Sequence, residues 1–357
     1  MKIGILAITA GGRELARQIA GELGAEVVPV AQSGIAAALE SAWGRYEGLV
    51  CIMAAGIVVR SLAPLLNDKA SDPAVVVVDE RGRHAISLLS GHLGGGNELA
   101  RRVARLCDGQ AVITTASDVL ELTALDLWAE AQNLVAADKE SMTAASALLV
   151  NRGRIKVFSE TEVAGLPPGL VRVDQAEAAE LLISCRTEWP REKLLFHPRQ
   201  LVVGIGCNRG TPEAEMAAAL NELLTEQRLA PQAIRNLATI DLKRDEAGLL
   251  ALADQHGWPL EFYSADQLNQ KIVADHPPGE NGDRKNGDRS IFCDQKIDLS
   301  PFSATIYRAT GAGGVAEPAA LLSSGADQLI TRKRKWKNVT LALSRANFTL
   351  SARVREQ

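Results

Sequence analysis

A strand, a glycine-rich loop and a helix follow one another in the stretch LLSGHLGGGNELARRVARL, residues 88–106. The aliphatic strand ends at Leu89, four glycines fall within the next seven positions, and Asn97 is placed to cap a helix with apolar residues at helical spacing. Similar short aliphatic runs alternate with helical patterns on either side, at residues 3–8, 26–30, 49–54, 74–78, 84–89 and 111–115. This alternation is typical of a mainly parallel sheet covered by helices on both faces.

The same pattern returns after a weaker middle region. A strand at 201–205, a helix from Pro212, and strands at 238–242 and 260–263 begin a second α/β block. We therefore predict an α/β protein with two mainly parallel-sheet, three-layer α/β domains joined by a smaller α/β middle domain. The predicted boundaries are 1–125, 126–198 and 199–357, with 186–199 as a charged, proline-containing linker.

Two polar stretches interrupt the second block. Residues 275–295 carry the repeated tetrapeptide Asn-Gly-Asp-Arg and have no apolar period, which predicts a mobile insertion. Residues 332–337 hold five positive charges, which we interpret as a solvated turn before a last strand at 339–343, because the run is short and isolated.

Composition excludes several classes of protein. The chain has 357 residues with 39 Lys and Arg against 43 Asp and Glu, and this net charge of −4 counts against a nucleic-acid coat. Its five cysteines are scattered and never in Cys-x-x-Cys spacing, so we expect neither disulfides nor a zinc site and favour the cytoplasm. The longest apolar stretch, residues 48–59, is too short to span a membrane.

His92 is the side chain in the glycine loop best placed for chemistry. It follows the carboxyl end of a strand and precedes a helix, where ligands bind in open α/β sheets. A helix N-terminus would favour neutral imidazole, the form that acts as a general base. The alternative is a structural or surface histidine.

Glycine turns and cations indicate an anionic ligand. Besides the loop at 91–96, glycine turns occur at 204–210 and 311–314, each between a possible strand and a helix. Residues 81–105 contain five arginines and one acidic residue, and Arg60 and Lys69 add further positive charge. These features suit a multiply anionic ligand, although tight turns and helix-end arginines also have structural explanations.

Long motifs identify the family that the chain resembles. The runs MAAGIVVRSLAPLLNDKASDPAVVVVDERGRHAISLLSGHLGGGNELA (53–100) and AVITTASD (111–118) resemble the N-terminal domain of cobalt-precorrin 5A hydrolases of anaerobic cobalamin biosynthesis. The runs LVVGIGCNRGT (201–211), ATIDLKRDEAGLLALA (238–253) and TGAGGVAEPAALL (310–322) resemble their C-terminal domain. The sequence departs from the family pattern at the insertion, and Gly96 stands where alanine is usual.

The resemblance implies an enzyme that opens the ring A δ-lactone of cobalt-precorrin 5A, releases acetaldehyde and gives cobalt-precorrin 5B. Cobalt then belongs to the corrinoid substrate, and we expect no protein metal site, no other cofactor, no nucleic-acid or membrane partner, and only neighbouring pathway enzymes as further partners. We hypothesise that His92 is the base and that the amides of residues 94–96 bind the oxyanion.

The resemblance also supplies candidate residues. The positions that match the family pattern are Gly56, Arg60, Lys69, Asp72, Gly91, His92, Gly94, Gly95, Asn97, Thr115, Asp118, Gly204, Gly206, Gly210, Lys243, Glu246, Gly311, Gly314 and Glu317. We predict His92 as catalytic, and as substrate-binding Gly56, Arg60, Lys69, Gly91, Gly94, Gly95, Gly96, Asn97, Thr115, Gly206, Lys243, Gly311 and Gly314.

Two other functions remain open from the residues alone. A non-catalytic carrier of tetrapyrrole intermediates would use the same loops and arginines but would not need His92. An NAD(P)-dependent oxidoreductase is suggested by the glycine turns, yet none has the Gly-x-Gly-x-x-Gly spacing.

Overall fold

Three sheets of five or six strands and one two-stranded sheet organise the chain in the computed structural model, which describes residues 1–32, 34–68, 71–273 and 303–354. Parallel strand pairs predominate in the N-terminal and middle sheets and make up half of those in the C-terminal sheet, and the predicted α/β class is confirmed. The predicted insertion at 275–295 lies outside the described residues. No helix of the described ranges is long and apolar enough to cross a membrane.

The N-terminal unit is a six-stranded sheet in the order β2-β1-β3-β4-β5-β6. Its apolar strands, such as the fully buried run in β4, pack against helices on both faces. The elements are β1 Ile3–Ala7, α1 Ala10–Leu23, β2 Glu26–Val27, α2 Gly34–Trp43, β3 Gly48–Ile52, α3 Ala55–Leu62, β4 Ala74–Val78, β5 His84–Leu89, α4 Gly96–Leu106, β6 Gln110–Val112 and α5 Ala116–Val119.

Strand β5 runs against the direction of its neighbour β4. Val75 at the start of β4 pairs with Leu89 at the end of β5, and Val78 pairs with Ala85. The five-residue connection between the two strands is too short for a parallel crossover, so it forms a hairpin. Because β6 is parallel to β5, the segments after both strands meet at the edge of the sheet where β1, β3 and β4 begin.

The middle unit is a five-stranded sheet in the order β10-β8-β11-β12-β7. The predicted linker at 186–199 is wrong at its end, because residues 194–198 form β12, which lies between β11 and β7. Pro190 and most of the charged residues come before this apolar strand, and Arg199 follows it. The elements are α6 Leu125–Ala131, β7 Leu134–Ala136, α7 Lys139–Arg152, β8 Ile155–Ser159, β9 Glu162–Val163, β10 Leu170–Arg172, β11 Leu181–Ile183 and β12 Leu194–Pro198.

The C-terminal unit has the sheet order β15-β14-β13-β17-β16. Helices α8 and α9 cover one face, and α10 and α12 cover the other. The elements are β13 Leu201–Cys207, α8 Glu213–Gln227, β14 Ile234–Ile240, α9 Ala247–His256, β15 Leu260–Tyr263, α10 Ala265–Val273, α11 Ala304–Thr310, α12 Ala316–Ser324, β16 Leu329–Lys335 and β17 Val339–Arg345.

The end of the chain returns to the middle unit. Strand β18, Thr349–Leu350, pairs with β9, and Leu350 is buried in the middle core. The indole Nε1 of Trp128 donates a 2.9 Å hydrogen bond to the carbonyl of Ser351. The domain boundaries predicted from the sequence stay a prediction. Residues 349–351, however, pack against the middle unit and not against the C-terminal sheet.

The basic run at 332–337 is not a turn, contrary to the sequence prediction. Its first four residues lie in β16, an edge strand paired only with β17 among the described strands. Charged side chains are common on edge strands because they discourage pairing with other chains. Arg334 forms a salt bridge with Glu226 of α8, so the positive charge of this arginine helps to join the edge strand to the helix.

Candidate active site

The parallel pair β5 and β6 brings the glycine loop and residues 113–118 together. Their carboxyl ends lie at one edge of the sheet, so His92 after β5 and Asp118 after β6 become neighbours. Asp126 reaches the same point from the first turn of α6. The site is therefore formed by the N-terminal unit and the first helix of the middle unit.

The His92 imidazole has a carboxylate or hydroxyl at each of its nitrogens. Nδ1 lies 3.3 Å from Oδ1 of Asp126. Nε2 lies 3.1 Å from Oδ2 of Asp118 and 3.1 Å from Oγ of Ser117. These contacts fix the plane of the ring. They place a carboxylate at Nδ1 and both a carboxylate and a hydroxyl at Nε2.

The two carboxylates determine the charge of the imidazole. The hydrogen bond to Asp126 raises the pKa of His92, and Asp118 adds to this effect, so together they outweigh the opposite effect of burial. Burial raises the pKa of Asp126, but the contact with His92 brings it below its ordinary value. The expectation that a helix N-terminus keeps His92 neutral is thus wrong in direction, because carboxylates are its nearest neighbours.

Asn97 is not the helix cap that the sequence predicts. Helix α4 begins at Gly96 after Gly95, whose φ of 77° places it in the left-handed region that favours glycine. Asn97 is only 1% exposed, and its Nδ2 donates to Oδ2 of Asp118 at 2.9 Å and to Oγ1 of Thr115 at 3.2 Å. Arg101 donates to Oδ1 of Asp118 at 2.5 Å, so α4 holds this carboxylate in place.

The loop amides do not form the predicted oxyanion site as a group. The N–H of Gly95 donates to the carbonyl of His92 at 2.8 Å, and the N–H of Gly96 donates to that of Ser90 at 2.9 Å. Among the described backbone hydrogen bonds none is donated by Gly94. Two of the three predicted donors are therefore used to shape the loop itself.

Close packing explains most of the loop glycines. A Cβ on Gly91 would lie 2.7 Å from Oδ1 of Asn97, and one on Gly96 would lie 2.6 Å from the Leu89 carbonyl. On Gly94 it would lie 2.4 Å from Cβ of Ser90. The glycines let the loop fold tightly around Asn97, whose side-chain amide in turn donates a hydrogen bond to Asp118.

A cavity of about 350 Å³ opens beside the imidazole. It lies between the N-terminal unit, the start of the middle unit and the end of the chain. Its walls combine the polar site with apolar side chains; the lining residues are His92, Ser117, Asp118, Glu121, Leu122, Ala124, Leu127 and Val354. A wall of this composition can hold an apolar ring while exposing one end of it to a base.

Other predicted residues of the N-terminal unit lie elsewhere. Gly56 is in the first turn of α3, which follows β3 at the opposite edge of the sheet, and Arg60 points back to it with Nη1 3.2 Å from the Gly56 carbonyl. Lys69 lies outside the described residues. The segment that follows Lys69 contacts the glycine loop, because Oγ of Ser90 donates a hydrogen bond to the carbonyl of Asp72 at 2.8 Å.

The C-terminal candidates share the carboxyl edge of their sheet. Gly206 is near the end of β13, where the hydroxyl of Thr340 donates to its carbonyl at 3.2 Å, and Lys243 follows β14. The Lys243 ammonium is already paired with Glu246, at 3.0 Å. The other oxygen of Glu246 accepts the N–H of Gly210 at 2.7 Å. Lys243 is thus part of a buried ion pair.

The last glycine loop has a structural explanation of its own. Gly311 ends α11 with φ 74° and donates to the carbonyl of Tyr307. Asn269 of α10 bridges the loop, donating to the Gly311 carbonyl and accepting from the N–H of Gly313. Gly314 lies just before α12, where an added Cβ would come no nearer than 3.8 Å, to Ile272, among the described residues.

Sequence reasoning missed Ser117 and Asp126. Both are far from His92 along the chain, and the predicted domain boundary fell directly before Asp126. The available signal was the conjunction of two parallel strands with polar residues at both carboxyl ends. Within the described ranges, no group of three His, Cys, Asp or Glu side chains is arranged to hold a metal ion.

Comparison with known proteins places this chain in a family. Residues 37–118 match the family described as "Cobalamin synthesis G N-terminal", residues 123–198 match "Cobalamin biosynthesis central region", and residues 201–282 and 291–344 match "Cobalamin synthesis G C-terminus". The crystal structure of CobE, a protein from the cobalamin (vitamin B12) biosynthetic pathway, is 29% identical over 42% of this chain and 91% of its own, with a TM-score of 0.32.

Two relatives match along most of their length. The cobalt-precorrin-5A hydrolase of Priestia megaterium is 36% identical over 326 residues, covering 86% of this chain and 80% of the relative. That of Salmonella typhimurium is 34% identical over 372 residues, covering 97% of this chain and 98% of the relative. The resemblance seen in the sequence motifs is confirmed, and the chain belongs to the cobalt-precorrin-5A hydrolase family.

Proposed function

We propose that this chain is a hydrolase that opens the ring A δ-lactone of cobalt-precorrin 5A in the cavity beside His92. Acetaldehyde then leaves and cobalt-precorrin 5B is formed. The observation that carries this assignment is an imidazole on the cavity wall with Asp126 at Nδ1 and a hydroxyl at Nε2. Lactone hydrolysis needs a base at this position, because the attacking oxygen must lose a proton as it bonds to the carbonyl carbon.

His92 acts as the base through Nε2. Asp126 accepts the Nδ1–H, which selects the tautomer with a lone pair on Nε2 and stabilises the imidazolium that proton transfer creates. Asp118 lies 3.1 Å from Nε2 and becomes the acceptor for the new N–H. The proton then passes from Nε2 to the ring oxygen that leaves the carbonyl carbon.

The size of the cavity limits how the substrate enters. About 350 Å³ is at the lower end of small-molecule sites, which span roughly 300 to 1,000 Å³. A whole tetrapyrrole exceeds this volume, so we propose that one edge of the macrocycle, with the lactone, enters and that the remainder stays outside. Leu122, Leu127 and Val354 would pack against the apolar part of that edge.

The chemistry that we assign to this chain is proton transfer by its own side chains. Cobalt arrives and leaves inside the substrate, and we propose no further cofactor. We also propose the cytoplasm as its location and neighbouring enzymes of the pathway as the source and recipient of its labile corrinoids.

Acetaldehyde release from cobalt-precorrin 5A under anaerobic conditions tests this function. We expect release by the full chain and none above background by His92→Ala, whose fold is checked by circular dichroism. Corrinoid binding without acetaldehyde would instead indicate a carrier. Thermal stabilisation by NADP but not by the corrinoid would indicate an oxidoreductase. Near-normal turnover by a folded His92→Ala would refute the assignment of His92.

A further inference from the structure

Ser117 occupies the position of a nucleophile in the site. Its Oγ lies 3.1 Å from Nε2 of His92, whose Nδ1 lies 3.3 Å from Oδ1 of Asp126. Hydroxyl, imidazole and carboxylate therefore follow one another as they do in serine hydrolases, where the arrangement is recognised by geometry and not by order along the chain. The serine is only 8% exposed, yet it lines the cavity in which the lactone is proposed to bind.

We propose that Ser117 Oγ, rather than a water molecule, attacks the lactone carbonyl, so that hydrolysis passes through an ester on Ser117. This inference rests on the proposed function. A hydroxyl already hydrogen-bonded to the base is held in place before the substrate arrives, which lowers the entropic cost of attack. A water molecule would have to displace that hydroxyl to reach Nε2.

The first half of the reaction forms the ester. Oγ of Ser117 bonds to the lactone carbonyl carbon as its proton moves to Nε2 of His92. The bond from that carbon to the ring oxygen then breaks, and the Nε2 proton goes to this oxygen. The lactone is now open, with its acyl group on Ser117 and a free hydroxyl on the corrinoid.

The second half returns the enzyme to its initial state. Water attacks the ester carbonyl carbon and gives its proton to Nε2. The bond from carbon to Oγ breaks, and Nε2 returns the proton to Ser117. One water is consumed in total, and the product carries a carboxylic acid and a hydroxyl in place of the lactone.

Asp118 is the other candidate nucleophile near the base, and its contacts argue against that role. Oδ1 accepts from Arg101 at 2.5 Å and Oδ2 accepts from Asn97 at 2.9 Å, so both oxygens are engaged. Held this way, the carboxylate is placed to receive the Nε2–H of the imidazolium. Asp118 thus stabilises the charge that forms when Ser117 loses its proton.

Acid quenching of the full chain during turnover of cobalt-precorrin 5A tests the inference. Peptide mass spectrometry is expected to find the corrinoid acyl group on Ser117. In Ser117→Cys we expect the corresponding thioester at the same position. Ser117→Ala should lose at least about a thousandfold in acetaldehyde release while still binding the corrinoid. Ser159→Ala, in the middle sheet, is the matched control and should turn over normally.

The outcomes separate this inference from the function on which it rests. Ser117→Ala with turnover within tenfold of the unaltered chain, while His92→Ala has none, would overturn the ester and leave the hydrolase standing. Loss of activity in Ser117→Ala with no adduct in either the unaltered chain or Ser117→Cys would also overturn it. Absence of acetaldehyde from the unaltered chain would refute the proposed function itself.

Discussion

Nδ1 of His92 lies 3.3 Å from Oδ1 of Asp126, so the imidazole of the N-terminal unit is oriented by a carboxylate of the middle unit. The two residues are distant in the chain, since His92 follows β5 and Asp126 lies in the first turn of α6. The packing of the two units therefore sets the geometry of the proposed base. A change at this contact should affect catalysis through the protonation of His92.

Asp126→Asn should shift the pH dependence of turnover. The contact with Asp126 is the largest cause that raises the pKa of His92, and the base must be unprotonated to act. Removing the charge lowers that pKa, so the acid limb of kcat/KM should move to lower pH while kcat falls by about a hundredfold or more. Acetaldehyde release across pH and an NMR titration of His92 would measure both effects.

Asp174→Asn is the control for that substitution, because this middle-unit carboxylate is 93% exposed and lies outside the site. It should leave the pH profile unchanged. An Asp126→Asn enzyme with the profile of the unaltered chain would contradict the assignment of Asp126 as the orienting carboxylate.

Asn97→Ala should destabilise the fold as well as the site. The buried amide donates to Asp118 and Thr115, and its loss leaves both acceptors less satisfied next to a small void. We expect the free energy of unfolding to fall by about 1 to 3 kcal/mol, measured by urea denaturation. An unchanged unfolding midpoint would contradict the role of Asn97 in holding Asp118.

The strands were largely predictable because their signal is local. Continuous aliphatic runs identified β4 and β5 at their observed bounds, and the glycine loop directed attention to His92. The reversal of β5 was missed, although a five-residue turn with Gly82 at φ 69° separates the two runs. The signal available in the sequence was the shortness of the polar segment 79–83 together with its glycine, which is typical of a hairpin.

The site itself depended on contacts that no local pattern encodes. Ser117 and Asp126 become neighbours of His92 only through the pairing of β5 with β6 and the packing of α6. The predicted substrate-binding role of Lys243 remains a prediction, but the structure pairs its ammonium with Glu246, three residues along the chain, at 3.0 Å. A charge in a sequence does not reveal whether it is already neutralised.

The stability of the protein should depend on pH through His92. A pKa that is higher in the folded than in the unfolded chain stabilises the fold below the unfolded value of about 6.5, and this contribution is lost as pH rises through the folded pKa. The difference in unfolding free energy between the unaltered chain and His92→Gln should therefore be larger at pH 5.5 than at pH 9. Equal differences at both pH values would contradict the raised pKa.

Lys243→Met decides between a structural and a substrate-binding role for this lysine. Glu246 is 3% exposed and Lys243 12%, so removing the ammonium leaves a buried carboxylate with only the N–H of Gly210 as a described partner. We expect a loss of about 3 kcal/mol in unfolding free energy, of which Glu246→Gln in the same chain should restore a part.

A double-mutant cycle by urea denaturation measures this coupling between Lys243 and Glu246, and KM for the corrinoid is measured beside it. A structural pair predicts strong coupling and an unchanged KM in the folded double variant. Independent stability effects with a KM raised tenfold would instead assign Lys243 to the substrate, because its ammonium would then be acting on a corrinoid carboxylate rather than on Glu246.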